Sequence, residues 1–203
     1  MQVAAAIIAG GRARRLGGVA KPFLRVGGRT IAERQLAVLQ PLFARVHAVV
    51  AQAADATPWG ELGIAAVLDA VPGAGPLAGV AAALGALPAG GAVVCVAGDL
   101  PFLSPALLTA LRDAAPDALA VAPRADARAE PLCARYAARL LPEVQARLAS
   151  GRLALHRLLE ETGLSLWIEG TALGRLDPDR RAFLNVNTPE DLARADALAR
   201  SQP

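Results

Sequence analysis

Seven consecutive apolar residues, Val3 to Ala9, stop abruptly at Gly10 and Gly11. An uninterrupted apolar run of that length, containing Val3, Ile7 and Ile8 and closed by glycine, predicts a strand buried on both faces. Strands buried on both faces belong to parallel sheets covered by helices. Val46 to Ala51 and Ala92 to Ala97 repeat the pattern, and Ile64 to Leu68 is a shorter version of it. Helical patterns fall between them. Thr30 and Glu33 have capping-box spacing ahead of the stripe Ile31, Leu36, Leu39 and Leu42, and Pro41 marks the end of that helix. Leu77 to Leu87 reads as a second helix, and Ser104 caps a third running to about Ala114. The alternation predicts an α/β fold with a mostly parallel central sheet flanked by helices and right-handed crossovers.

The second half continues the pattern less regularly. Leu119 to Ala122, Leu132 to Tyr136 and Leu164 to Ile168 read as strands, and Arg139 to Ala149 and Leu153 to Thr162 as helices. Thr188 caps the last helix, with Asp191 in its first turn. No linker or internal repeat divides the 203 residues, so a single domain over 1–203 is expected. Hydrophobic residues are 54% and charged ones 19%, which excludes a disordered chain; aromatics are 3%, so Ala, Val and Leu must build the core.

Cys95 and Cys133 lie far apart in sequence, which excludes a disulfide scaffold and a paired-cysteine zinc site and fits a reducing, cytoplasmic setting. No stretch approaches the ~20 apolar residues of a membrane span. Met1 to Gly11 has no basic segment before its apolar run, so no secretory signal is expected. The net charge is +3, but outside one early cluster the basic residues are scattered, so the balance alone argues only weakly for nucleic acid; with no aromatic interleaving and no recognised motif, no nucleic-acid partner is expected.

That early cluster carries the chemistry. Gly10 and Gly11, Arg12, Arg14 and Arg15, Gly17 and Gly18, and Lys21 follow the first strand. Glycines let backbone amides converge on an anion, and the cations add positive charge, so the loop describes a polyphosphate cradle. It is neither a Walker A loop nor a dinucleotide fingerprint, since both glycine spacings are absent. Lys21 is the only lysine among 21 basic residues. A chain that uses arginine everywhere else keeps one compact ammonium beside its cradle. Asp69 ends the third strand and Asp99 the fourth, both at the carboxyl edge where open sheets bind ligands. A carboxylate pair opposite a phosphate cradle fits Mg²⁺, which takes one or two carboxylates plus phosphate oxygens. Asn185 and Asn187, the only asparagines, stand two apart before the last helix and serve either as turn formers or as substrate ligands. His47, His156, Trp59 and Trp167 read as structural.

The motifs Ala9-Gly10-Gly11, Arg14-Arg15-Leu16-Gly17-Gly18 and Lys21 resemble the signature of nucleotidyltransferases with a Rossmann-like sheet. With Gly75-Pro76-Leu77-Ala78-Gly79, Gly98-Asp99-Leu100-Pro101, Pro131-Leu132-Cys133 and Asn185-Val186-Asn187-Thr188-Pro189, the chain resembles the bacterial molybdenum cofactor guanylyltransferases over nearly its whole length. The resemblance implies transfer of GMP from GTP to the phosphate of molybdopterin, with Mg²⁺ as cofactor. It implies GTP contacts from Ile8, Ala9, Gly10, Gly11, Lys21 and Asp69, and Mg²⁺ on Asp99. Lys21, Asp99 and Arg15 would be catalytic, and Asn185 and Asn187 would face the acceptor. Residues 1–110 would then hold the nucleotide and 111–203 the acceptor, with transient contact to a molybdoenzyme or its chaperone. The chain departs from the family in having Ala20 before Lys21 where Asp is usual, and Ala51-Gln52-Ala53 where Asn is frequent. Two rival readings are a cytidylyltransferase, or other nucleotidyltransferase, on the same or another phosphorylated acceptor, and a non-catalytic nucleotide-binding adaptor.

Overall fold

The computed structural model of the chain describes residues 2–10, 19–69, 71, 73–161, 163 and 165–201. Its centre is β1 (Val3–Ile8), which pairs in parallel with β4 (Val46–Val50) on one side and β6 (Ala92–Ala97) on the other. A short hairpin, β2 (Arg25–Val26) with β3 (Arg29–Thr30), and helix α1 (Ile31–Leu42) lead from β1 to β4. Helix α2 (Thr57–Glu61) then leads to β5 (Ala65–Leu68), parallel to β4 at the sheet edge. From there α3 (Pro76–Gly85) carries the chain back across β1 to β6. After α4 (Pro105–Asp113) come β7 (Ala120–Ala125), β8 (Arg128–Ala129) and β9 (Cys133–Ala137). Then α5 (Leu141–Ala149), α6 (Leu155–Glu161), β10 (Ser165–Glu169), α7 (Gly170–Leu176) and α8 (Pro189–Arg200) complete it. The strand order of the main sheet is β10-β7-β9-β6-β1-β4-β5, with β8 paired to β7.

The sheet is parallel except for β9, which runs antiparallel to both β6 and β7, and the short β8, antiparallel to β7. The physical reason is the route into β9. The β7–β8 hairpin turns the chain back on itself at Asp126 and Ala127, whose φ angles are 48° and 64°, so no helical crossover separates β7 from β9.

Strand alternation divides the core in two. Ala5 and Ile7 of β1, with Val94 and Val96 of β6, pack on Leu36 and Leu39 of α1, Leu107 and Leu108 of α4, and Trp59. Ala4, Ala6 and Ile8, with Val93 and Cys95, pack on Leu77, Val80 and Leu84 of α3, Val144 of α5 and Leu158 of α6. Both faces of the central strands are therefore dry, as their unbroken apolar runs require. Trp59 is fully buried and meets the Phe23 ring edge-on at 5.3 Å.

A third, smaller cluster positions the end of the chain. Val26 and Ile31, from the hairpin and the start of α1, pack against Val186 and Ala195. Buried Val186 thus leaves Asn185 and Asn187 exposed on either side of it. Both capping boxes form: Thr30 with Glu33 at α1, and Thr188 with Asp191 at α8. Asp191 also accepts the Asn187 backbone N–H at 3.0 Å, so the cap holds the asparagine segment as well as the helix. Those backbone bonds keep the Asp191 carboxyl below the usual aspartate range.

Candidate active site

The order of strands reverses at β1: the chain first moves outward through β4 and β5, then returns to β6 on the opposite side. A crevice beyond the carboxyl ends of β1 and β6 follows from that topology. It is occupied by a cavity of about 740 Å³. Ile8, Ala9 and Gly10 line it at the end of β1, and Gly98 and Asp99 after β6. Val50 and Ala51 contribute at the end of β4, and Asp69 after β5.

The two loops at the centre touch closely. Gly98 donates its N–H to the Ile8 carbonyl at 3.0 Å, extending the β1–β6 ladder by one residue. A Cβ on Gly98 would stand 2.8 Å from Pro22 Cγ and 3.2 Å from the Ile8 carbonyl oxygen. Only glycine fits without moving backbone. Gly98→Ala is expected to destabilise the protein by about 1–3 kcal/mol, read by denaturant unfolding. A variant as stable as the parent would show that the contact is soft.

Gln35 braces the same turn from below. It is fully buried, and its Nε2 donates to the carbonyls of Ala97 at 2.7 Å and Leu100 at 3.0 Å, on either side of Gly98 and Asp99. Its signal was present in the chain as a polar residue at helical spacing between Ile31 and Leu39, on the face that α1 buries.

Lys21 begins a 3-10 turn, Lys21–Phe23, directly beneath the crevice. Its Nζ donates to Asp99 Oδ2 at 2.8 Å and to Asn187 Oδ1. Three residues singled out separately in the sequence are thus joined through one ammonium. The two side chains of the ion pair are 22% and 16% exposed, screened from bulk water yet reachable from the cavity. Asp99 also accepts the Val186 N–H on its backbone oxygen at 3.0 Å, which fixes the asparagine segment against the β6 loop.

Asp69 lines the same cavity but does not join Asp99. Its Oδ1 accepts the Val71 N–H at 2.9 Å in a local turn. Three strand intervals, β5 to β4 to β1 to β6, separate the strands that carry the two aspartates, about 14 Å at the usual spacing. The aspartate pair read from the sequence is thus not brought together, and the expected metal ligand remains Asp99 alone. Among the described residues no group of three His, Cys, Asp or Glu is assembled for a metal. Asn185 also lines the cavity. Gly11 and Arg15, and the rest of the early basic cluster from Arg12 to Gly18, lie outside the described residues.

Two features were not anticipated. Helix α3 starts with Gly75 at φ 70°, with no side-chain cap, and Gly75, Pro76 and Gly79 all line the cavity, so the positive end of the helix dipole faces it. His156 at the start of α6 is exposed and lines the far end, beside Leu153. His47, by contrast, has a buried Nε2 with no partner among the described residues, and burial holds its pKa below the usual histidine range.

An open α/β sheet that gathers a lone ammonium, a carboxylate and an uncapped helix start at its switch point is suited to a nucleoside triphosphate, and the chain is a nucleotidyltransferase. Residues 5–165 match the MobA-like NTP transferase domain, and the chain belongs to that family. It is 34% identical to the molybdenum cofactor guanylyltransferase of Cereibacter sphaeroides over 98% of both chains. It is 32% identical to the molybdenum cofactor guanylyltransferase of Desulfosudis oleivorans, over 96% of this chain and 95% of that one. The crystal structure of molybdopterin-guanine dinucleotide biosynthesis protein A from Archaeoglobus fulgidus aligns over 100% of both chains with a TM-score of 0.84 at 27% identity.

Proposed function

We propose that the protein transfers GMP from GTP to the terminal phosphate of molybdopterin, releasing pyrophosphate and forming the guanine dinucleotide cofactor. The observation that supports this most directly is the junction at Lys21, which lines the cavity together with Asp99 and also meets Asn187. In the sheet β1 and β6 lie between β4 and β5, which lead to Ala51 and Asp69, and β9 on the other side, and Asn185 lines the same cavity. A nucleotide on the first side and a phosphorylated acceptor on the second meet at that ammonium. Residues 1–110 then supply most of the nucleotide site and 111–203 most of the acceptor site.

An acceptor phosphate oxygen attacks the α-phosphorus in line. The new P–O bond forms as the bond from the α-phosphorus to the bridging oxygen of the leaving pyrophosphate breaks. The attacking oxygen is already anionic at neutral pH, so no general base is required. Transfers of this kind depend on positioning and on stabilising spread negative charge. Lys21 supplies a fixed positive charge at the reacting phosphates, the backbone after Ile8 and the start of α3 supply amides, and Asn185 and Asn187 orient the acceptor. Arg15 adds a second cation on the triphosphate. Asp69 holds the nucleoside at a distance from the chemistry.

A single accessible carboxylate beside phosphate-binding groups is the donor set that Mg²⁺ accepts, since that ion keeps water and substrate oxygens for its remaining positions. Asp99 would hold it. When bound, the ion would neutralise charge on the phosphate oxygens. Among the described residues no helix is long and apolar enough to cross a membrane. The reaction requires no nucleic acid or membrane; it belongs to the cytoplasm, and its product passes to a molybdoenzyme or its chaperone by transient contact.

The test is pyrophosphate release by the purified protein with Mg²⁺ and molybdopterin, comparing GTP with CTP. Release with GTP and not CTP is the expected result. Release with CTP alone moves the protein to cytidylyl transfer, and silence with both, against an acceptor proven on a working enzyme, overturns the reading.

A further inference from the structure

A second cavity, of about 860 Å³, opens beside the first between the β7–β8 hairpin, α7 and the segment leading to α8. Glu130, Phe183 and Asn185 line both cavities and so form their common wall. Glu130 is unusual among these. Its backbone is pinned on both sides, its N–H donating to the Pro123 carbonyl at 2.9 Å and its carbonyl accepting from Cys133 N at 3.1 Å. Its half-buried carboxylate makes no hydrogen bond or ion pair with any described residue. Burial raises its pKa above the usual glutamate range, partly opposed by Arg128. An ionised carboxylate accepts only, so one kept partly dry and with no partner among the described residues at a cavity wall asks for hydrogen-bond donors from a ligand.

We infer that Glu130 is a specificity residue for the acceptor, taking the paired N–H donors of a 2-amino-4-oxo pyrimidine edge from the acceptor's pterin ring. This rests on the proposed acceptor being a pterin phosphate. Guanine offers the same donor edge, so placement decides between the two sources. Glu130 precedes β9, on the opposite side of Lys21 and Asp99 from Ala51 and Asp69. A nucleotide whose phosphates sit at Lys21 and whose base lies toward β4 and β5 leaves Glu130 to the acceptor. Phe183 on the same wall offers an aromatic face for the ring.

Glu130→Gln is the sharp variant, because it keeps the shape and turns one acceptor atom into a donor. With purified protein, pterin (2-amino-4-oxopteridine) binding is read by its fluorescence and compared with lumazine, which carries a second oxo group in place of the amino group. The parent is expected to prefer pterin by roughly 10–100-fold, and Glu130→Gln to lose that preference with unchanged melting. In the transfer assay the variant's KM for molybdopterin rises by a similar factor, while its KM for GTP stays within twofold. An unchanged pterin preference, no pterin binding by the parent, a rise in the GTP KM alone, or a loss of folding would each overturn the assignment. A parent that binds pterin through Glu130 yet transfers no GMP leaves the assignment standing and defeats the reaction reading instead.

Discussion

Lys21→Ala is expected to lower kcat/KM for GMP transfer by about 10²–10³-fold, the effect of removing one preorganised charge donor from a transfer site. The ammonium is the only described side chain that meets Asp99 and Asn187 together, so its removal detaches the carboxylate and the asparagine from each other as well as from the phosphates. Folding should survive, because a partly exposed ion pair contributes only about 0–1 kcal/mol. Lys21→Arg is expected to rescue little. The chain already uses arginine at its 20 other basic positions, and a planar fork in place of a compact ammonium does not satisfy both partners from one nitrogen. Initial rates of pyrophosphate release, with thermal melting as the folding control, check both variants. Activity within tenfold of the parent would remove Lys21 from the chemistry.

The second large effect belongs to Asp99→Asn, which preserves volume and removes charge. We expect a loss of about 10²-fold or more in kcat, together with a rise in the Mg²⁺ concentration needed for half-maximal rate. The metal titration separates this from a merely structural effect, which would lower the rate at every Mg²⁺ concentration alike. Asp69→Ala is the contrast. Its side chain caps a local turn three strand intervals away, so its expected effect is on the KM for GTP, with a smaller change in kcat. Combining Lys21→Ala with Asp99→Asn should cost far less than the product of the single losses, because the two side chains are in direct contact. Multiplicative losses would mean that the pair acts as two independent groups.

The parts of this fold that could be read from the chain were those with local causes. β1 and β6 announce themselves as unbroken apolar runs, and the Thr30 and Thr188 caps as spaced oxygen donors and acceptors. The β7–β8 hairpin escaped because its turn uses Asp126 and Ala127 at positive φ, without the Asn or Gly that usually marks such a turn. Helix α7 escaped because it follows β10 immediately, with Glu169 at its N-cap making no side-chain capping bond. At the site, the types and rough order of Lys21, Asp99 and Asn187 were legible, but their meeting was not. The lysine and the asparagine are 166 residues apart, and what unites them is the packing of Val186 against Val26 and Ile31. Glu130 had no local signature at all, because the want of a partner for its carboxylate among the described residues is a property of the folded chain.

That long-range closure sets a timetable for the enzyme. A nascent chain that had emerged only as far as Glu169 would already own every described strand of the main sheet, from β1 to β10, and the ion pair of Lys21 with Asp99. It would still lack Val186 to dock on the β2–β3 hairpin and Asn187 to complete the ammonium's coordination. On such a chain the Lys21–Asp99 side of the cavity would stand before the segment that carries Asn187, and the docking of Val186 on the β2–β3 hairpin would close that junction afterwards.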